Sequence, residues 1–110
     1  MAEAVEQRRP DDSSLLAQVH GARAGDLAAL RGLFDRFQRS VMSYCLLSTD
    51  GDRALAQDLT QESFVRAFGS LKSLENPERF QGWLFTLVAN ICRTRGAQRA
   101  QQQKVLEAVM

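Results

Sequence analysis

An all-α fold, a compact bundle of three to four helices, is the class this sequence predicts, and two observations carry that expectation. Apolar residues step by three and four along four successive segments, the spacing that lines one face of a helix. No segment alternates with period two over a strand's length, so no strand is expected. The 110 residues, 45% hydrophobic and 25% charged, suit one small domain with a modest core.

Residues 1–11 are polar and charged without an apolar period and are expected to form a disordered lead-in. Asp12 or Ser13 is placed to cap a short helix that carries Leu15, Leu16 and Val19, which Gly21 and Gly25 weaken and close. Asp26 opens a second helix whose positions Leu27, Leu30, Phe34, Phe37, Val41 and Tyr44 or Cys45 form one apolar stripe as far as about Ser48. Thr49-Asp50-Gly51 reads as a turn, and Asp52 as the cap of a third helix running to about Leu71. Leu59, Phe64, Ala67, Phe68 and Leu71 form its inner side.

Lys72 to Asn76 reads as a loop, and Asn76-Pro77-Glu78 as a cap followed by proline at the first helical position. The fourth helix is expected to bury Phe80, Leu84, Leu87, Val88 and Ile91, with Trp83 on the flank and Gly96 as its first weak point. The helical domain therefore spans residues 12–96. Residues 97–110 are good helix formers, but Val105, Leu106 and Val109 have no evident place in a four-helix core. They either extend the last helix or begin an interdomain linker.

Several function classes find no support. No apolar run approaches the roughly 20 residues that cross a bilayer, and the start of the chain lacks a signal peptide's order of residues. A cytoplasmic protein without membrane insertion is expected. Cys45, Cys92 and the single histidine His20 show no ligand spacing, so no metal or cofactor is expected, and the cysteines read as small buried hydrophobes. A redox role for them is the remote alternative. With no glycine-rich phosphate loop and no nucleophile–base arrangement, the chain does not read as an enzyme.

Charge is unevenly spread. Residues 1–75 carry nine Lys/Arg against eleven Asp/Glu, and residues 76–110 carry five against two, so the two ends are expected to meet different partners. On the third helix Asp58, Gln61, Glu62 and Val65 share one quadrant opposite the apolar side. That face is either merely solvated or an interface with Val65 as its anchor. On the fourth helix Arg79, Thr86, Asn90 and Arg93 share a stripe flanked by the small Gly82 and Ala89. It is either an ordinary solvated face or one where a nucleic-acid backbone approaches closely. Phe80 and Trp83 could stack on bases, although core positions suit both better.

Three motifs carry a resemblance. They are Gly25-Asp26-Leu27 leading to Leu33-Phe34 and Phe37, the run Asp58-Leu59-Thr60-Gln61-Glu62-Ser63-Phe64-Val65-Arg66-Ala67-Phe68, and Phe80-Gln81-Gly82-Trp83-Leu84-Phe85-Thr86-Leu87-Val88-Ala89-Asn90. In this order and spacing, over roughly residues 12–99, the chain resembles region 2 of bacterial sigma factors, most nearly the extracytoplasmic-function (ECF) type. The resemblance implies a transcription initiation factor domain of the sigma region 2 fold. It implies that Asp58, Gln61, Glu62 and Val65 dock on the clamp helices of the β′ subunit of core RNA polymerase. It also implies that the segment Ser73 to Arg79, with Asn76, captures a base flipped from the non-template strand of the minus-ten promoter element. Asn90 would contact the same element and Arg93 nearby phosphates, with Thr86 on the same stripe.

Glu75-Asn76-Pro77-Glu78 stands where the family usually has a glycine-containing stretch, so the preferred base does not follow. Members of the family normally add a second domain that reads the minus-thirty-five element, so this chain reads as one domain of a longer protein in preference to a stand-alone protein that uses only the first half. ECF-type factors are commonly held by anti-sigma proteins, so an anti-sigma partner is implied as well. The alternative reading is a helical protein-interaction module, bound by such a regulatory partner without reading DNA directly.

Overall fold

The computed structural model of the chain describes residues 10–110, and among these the regular structure is entirely helical. Four α-helices follow one another, α1 (Pro10–Arg23), α2 (Leu27–Ser48), α3 (Arg53–Gly69) and α4 (Phe80–Val109). Two single 3-10 turns, Leu71–Ser73 and Pro77–Arg79, lie between α3 and α4. The expected lead-in falls on residues outside the described ones, except that Pro10 and Asp11 already belong to α1. The helix thus starts before the expected caps Asp12 and Ser13. Proline is suited to a first turn, where its missing N–H would have had no partner.

Local chemistry sets the breaks. Gly25, at φ +95°, takes the left-handed conformation that ends α1. Asp26 then caps α2, its Oδ1 accepting from the Ala28 N–H at 2.9 Å. Asp50 and Gly51 both have positive φ in the turn after α2, and Asp52 caps α3 by accepting from the Leu55 N–H at 3.1 Å. Ser70 ends α3, so the third helix stops just short of Leu71.

The core gathers Val19 and Ala22 of α1, Leu33, Phe37, Val41 and Cys45 of α2, and Ala56, Leu59, Phe64 and Ala67 of α3. From α4 it takes Phe80, Leu84, Val88, Ile91 and Cys92. The rings of Phe34 and Phe64 meet edge-on at 4.9 Å and tie α2 to α3, while Phe37 and Phe80 lie 5.6 Å apart between α2 and α4.

The α2 stripe differs from the expected one at its start. Leu27 is 78% exposed and Leu33 is fully buried. Leu33, Phe37, Val41 and Cys45 form one row at steps of four, and Leu27 lies about 120° round the helix from Leu33. Leu87 is only half-buried. Within α3 two polar residues are buried, Thr60 and Ser63. Their hydroxyls donate to the carbonyls of Ala56 at 2.8 Å and Leu59 at 2.7 Å, so burial leaves no donor unpaired.

Nor is the segment after α3 a plain loop. Leu71 and Leu74 are buried, which pins both ends of the first 3-10 turn against the bundle. Asn76 caps as expected, its Oδ1 accepting from the Glu78 N–H at 3.2 Å, but the cap serves the short turn, and α4 proper begins at Phe80. From there α4 runs 30 residues through Gly96, so residues 97–109 extend the helix.

Candidate functional site

Two surfaces collect the residues singled out by sequence. On α3, Asp58, Gln61 and Val65 are exposed, Val65 to 72%. Glu62 differs from the other three. Its side chain is only 27% exposed and is gripped from two sides, by Arg66 of the same helix at 2.8 Å and by Arg95 of α4 at 2.9 Å. The carboxylate is therefore oriented before any partner arrives, and it adds less to the open face than its helical phase suggests. Asp58 and Gln61 border a shallow groove between α2 and α3, beside Phe34, Met42 and Arg53.

The second surface is concave. Ser73, Asn76, Arg79 and Thr86 line one cleft of about 820 Å³ together with Gly82 and Trp83. Next to it, Thr86 and Asn90 line a depression of about 350 Å³ with Arg66, Trp83 and Thr94. Trp83 and Thr86 belong to both, so the two form one groove along the start of α4. Arg93 lines neither part but donates to the Oδ1 of Asn90 at 2.6 Å, which holds the amide in one orientation and leaves its N–H₂ free to donate.

The aromatic pair is divided between two roles. Phe80 is fully buried and cannot meet a ligand, whereas Trp83 is half-buried, 5.9 Å from Phe80, and shows its ring in the groove. Gly82 beside it has open space where a side chain would stand, which leaves the indole uncovered. Ser73 and Asn76 are partly spent on local structure. The Ser73 hydroxyl donates to the Ser70 carbonyl at 2.6 Å, and Asn76 supplies the cap described above.

Arg66 and Arg95 are residues that sequence reasoning did not place in these surfaces, and Trp83, for which a core position suited the sequence better than base stacking, faces the groove instead. Arg66 stood in the quoted motif, yet its position at the groove's edge needs α3 and α4 to be packed together. The combination is suited to a chain of stacked, negatively charged units: a ring face, hydrogen-bond donors and acceptors at Thr86 and Asn90, and guanidinium groups at Arg66 and Arg79.

A family model, Sigma-70 region 2, matches residues 33–102. The chain belongs to that family. The sigma-70 region 2 match covers α3, both 3-10 turns and most of α2 and α4, the elements that build both surfaces. Curated relatives agree with it. The ECF RNA polymerase sigma factor SigL of Mycobacterium tuberculosis is 35% identical over 77 residues, 69% of this chain and 43% of that protein. The ECF RNA polymerase sigma factor BldN of Streptomyces coelicolor is 33% identical over 89 residues, 76% of this chain and 33% of that protein. An ECF RNA polymerase sigma-E factor of Haemophilus influenzae is 31% identical over 77 residues, 70% of this chain and 40% of that protein. The chain thus spans less than half the length of these sigma factors. No solved structure matches it. No described helix is long and apolar enough to cross a membrane.

Proposed function

We propose that this sigma region 2 domain acts in transcription initiation, docking on core RNA polymerase with one surface and holding single-stranded promoter DNA with the other. The α3 face of Asp58, Gln61, Glu62 and Val65 meets the clamp helices of the β′ subunit. The groove receives unstacked non-template bases of the minus-ten element, with Trp83 as stacking platform and Thr86 and Asn90 as hydrogen-bonding groups. Arg79 and Arg93 face phosphates, and the Ser73–Asn76 turn forms the wall of the cleft. An anti-sigma protein is expected to compete with polymerase for the Val65 face.

The observation that carries this reading is the groove itself, which draws five of the six residues expected to meet DNA around a half-exposed tryptophan. No bond chemistry is required. The domain favours the melted promoter by binding the open strand more tightly than the duplex, and each base stacked on an aromatic contributes about 1–3 kcal/mol against a cost of a few kcal/mol for unstacking.

A reconstituted complex of core polymerase, this chain and a single-stranded minus-ten oligonucleotide tests both halves. Val65→Asp is expected to abolish capture by polymerase. Trp83→Ala is expected to weaken oligonucleotide binding by roughly 5- to 150-fold while capture persists. Arg79→Ala should reduce the slope of log affinity against log salt by about 0.7, the share of one phosphate contact on a single strand. Parent-like DNA binding by Trp83→Ala and Asn90→Ala together would remove the groove from the reading.

A further inference from the structure

Cys45 and Cys92 are 47 residues apart in the chain, yet their Sγ atoms lie 3.8 Å apart, one on α2 and the other on α4. Both are free thiols in the core. Cys45 is fully enclosed, while Cys92 is 8% exposed and lines a groove of about 320 Å³ that opens between the turn after α2 and the middle of α4. Leu55, Leu59, Arg95 and Arg99 form its other walls. Among the described residues no group of His, Cys, Asp and Glu is arranged to hold a metal ion. Each sulfur lies within hydrogen-bonding distance of the other, and the Thr60 hydroxyl also faces Cys45.

We propose that Cys45 and Cys92 form an oxidation site, at which a peroxide entering the groove converts the dithiol to a disulfide that ties α2 to α4. A disulfide is about 2.05 Å long, so the two sulfurs must approach by somewhat less than about 2 Å, a displacement within reach of side-chain rotation.

The chemistry balances in two steps. The Cys92 thiolate attacks one peroxide oxygen; the S–O bond forms, the O–O bond breaks, and the departing oxygen leaves as water with the proton that the thiol gave up. Cys45 then attacks the sulfenic sulfur; the S–S bond forms, the S–O bond breaks, and hydroxide leaves as a second water with the Cys45 proton. Two electrons pass from the sulfurs to the peroxide. Burial pushes the Cys45 thiol up to about 11, so it stays protonated toward peroxide, and it attacks the sulfenic sulfur only as it gives up its proton to the departing hydroxide. Because α4 also carries Trp83, Thr86 and Asn90, the bond fixes the helix of the DNA groove against α2.

The proposal is tested on the 110-residue chain by brief exposure to hydrogen peroxide, followed by unfolding, alkylation with iodoacetamide and mass measurement. The expected product is a monomer about 2 Da lighter than the reduced chain, with neither cysteine alkylated and full reversal by dithiothreitol. A digest should contain the Cys45–Cys92 peptide pair. Cys45→Ser should leave Cys92 as a sulfenic acid trapped by dimedone, and Cys92→Ser should leave Cys45 free for alkylation. In a buffer of reduced and oxidised dithiothreitol, the native chain should favour the disulfide at least roughly tenfold over the same chain in concentrated urea. Two alkylated thiols after peroxide, disulfides only between chains, or no preference of the native chain over the unfolded one would each overturn it.

Discussion

From Phe80 to Cys92, α4 buries a side chain on every turn, whereas from Arg93 to Val109 it buries none. The second half is first held by ion pairs, Arg95 to Glu62 at 2.9 Å and Arg99 to Asp52 at 3.1 Å. Beyond Arg99 the one side-chain hydrogen bond among the described residues is from Gln103 to Glu107, on the helix itself. Hydrophobic burial gives the first half one position in the bundle, and that is the half that carries the groove. The second half is helical because its Ala, Gln, Leu, Glu and Lys residues favour a helix, so its end should open first.

Changes on either side of Cys92 test that contrast. The largest effect is expected from Phe80→Ala, which empties a fully enclosed site against Phe37 and should cost about 3–5 kcal/mol in a urea titration. A loss below about 1 kcal/mol would mean that burial does not anchor the first half. Next comes Gly96→Ala. A methyl group there meets nothing within 4 Å, so the change should stabilise the second half by roughly 0.5–1 kcal/mol through helix propensity. Amide exchange beyond residue 96 should slow a few-fold, with little change in the core.

The smallest effect concerns pH. The Leu55 N–H, and after it Arg99, hold the Asp52 carboxyl below its ordinary value of 3.8. A carboxylate whose pKa is lowered by folding stabilises the protein above its unfolded value, near 4, and that contribution is lost as pH falls through the lower folded value. Asp52→Asn keeps a capping oxygen but no charge. It should therefore narrow the difference in Tm between about pH 6 and about pH 3. An unchanged difference would leave Arg99 without a part in fastening the second half.

The α3 face was legible in the sequence because one helix and one period are enough to place Asp58, Gln61 and Val65 opposite Leu59 and Phe64. The groove was legible only in its members on α4. Its shape joins Arg66, the Ser73–Arg79 segment and α4, and no single period links those three. Glu62 shows the same limit from the other side. Its helical phase points outward, and a residue 33 positions later draws it into an ion pair. Apolar pattern does not separate helix from linker in the α4 tail, since such a pattern speaks of burial and that segment is helical without any.

Spacing and cap chemistry in the sequence by themselves determined an all-α chain, the caps at Asp26 and Asp52, and the inward sides of α3 and of early α4. Helical phase and end-capping are local, set within a few residues. Only the tertiary structure decided that Trp83 faces a groove while Phe80 does not, that Arg95 orients Glu62, and that Cys45 meets Cys92. Those relations depend on where helices cross, which follows from the fit of all their side chains at once.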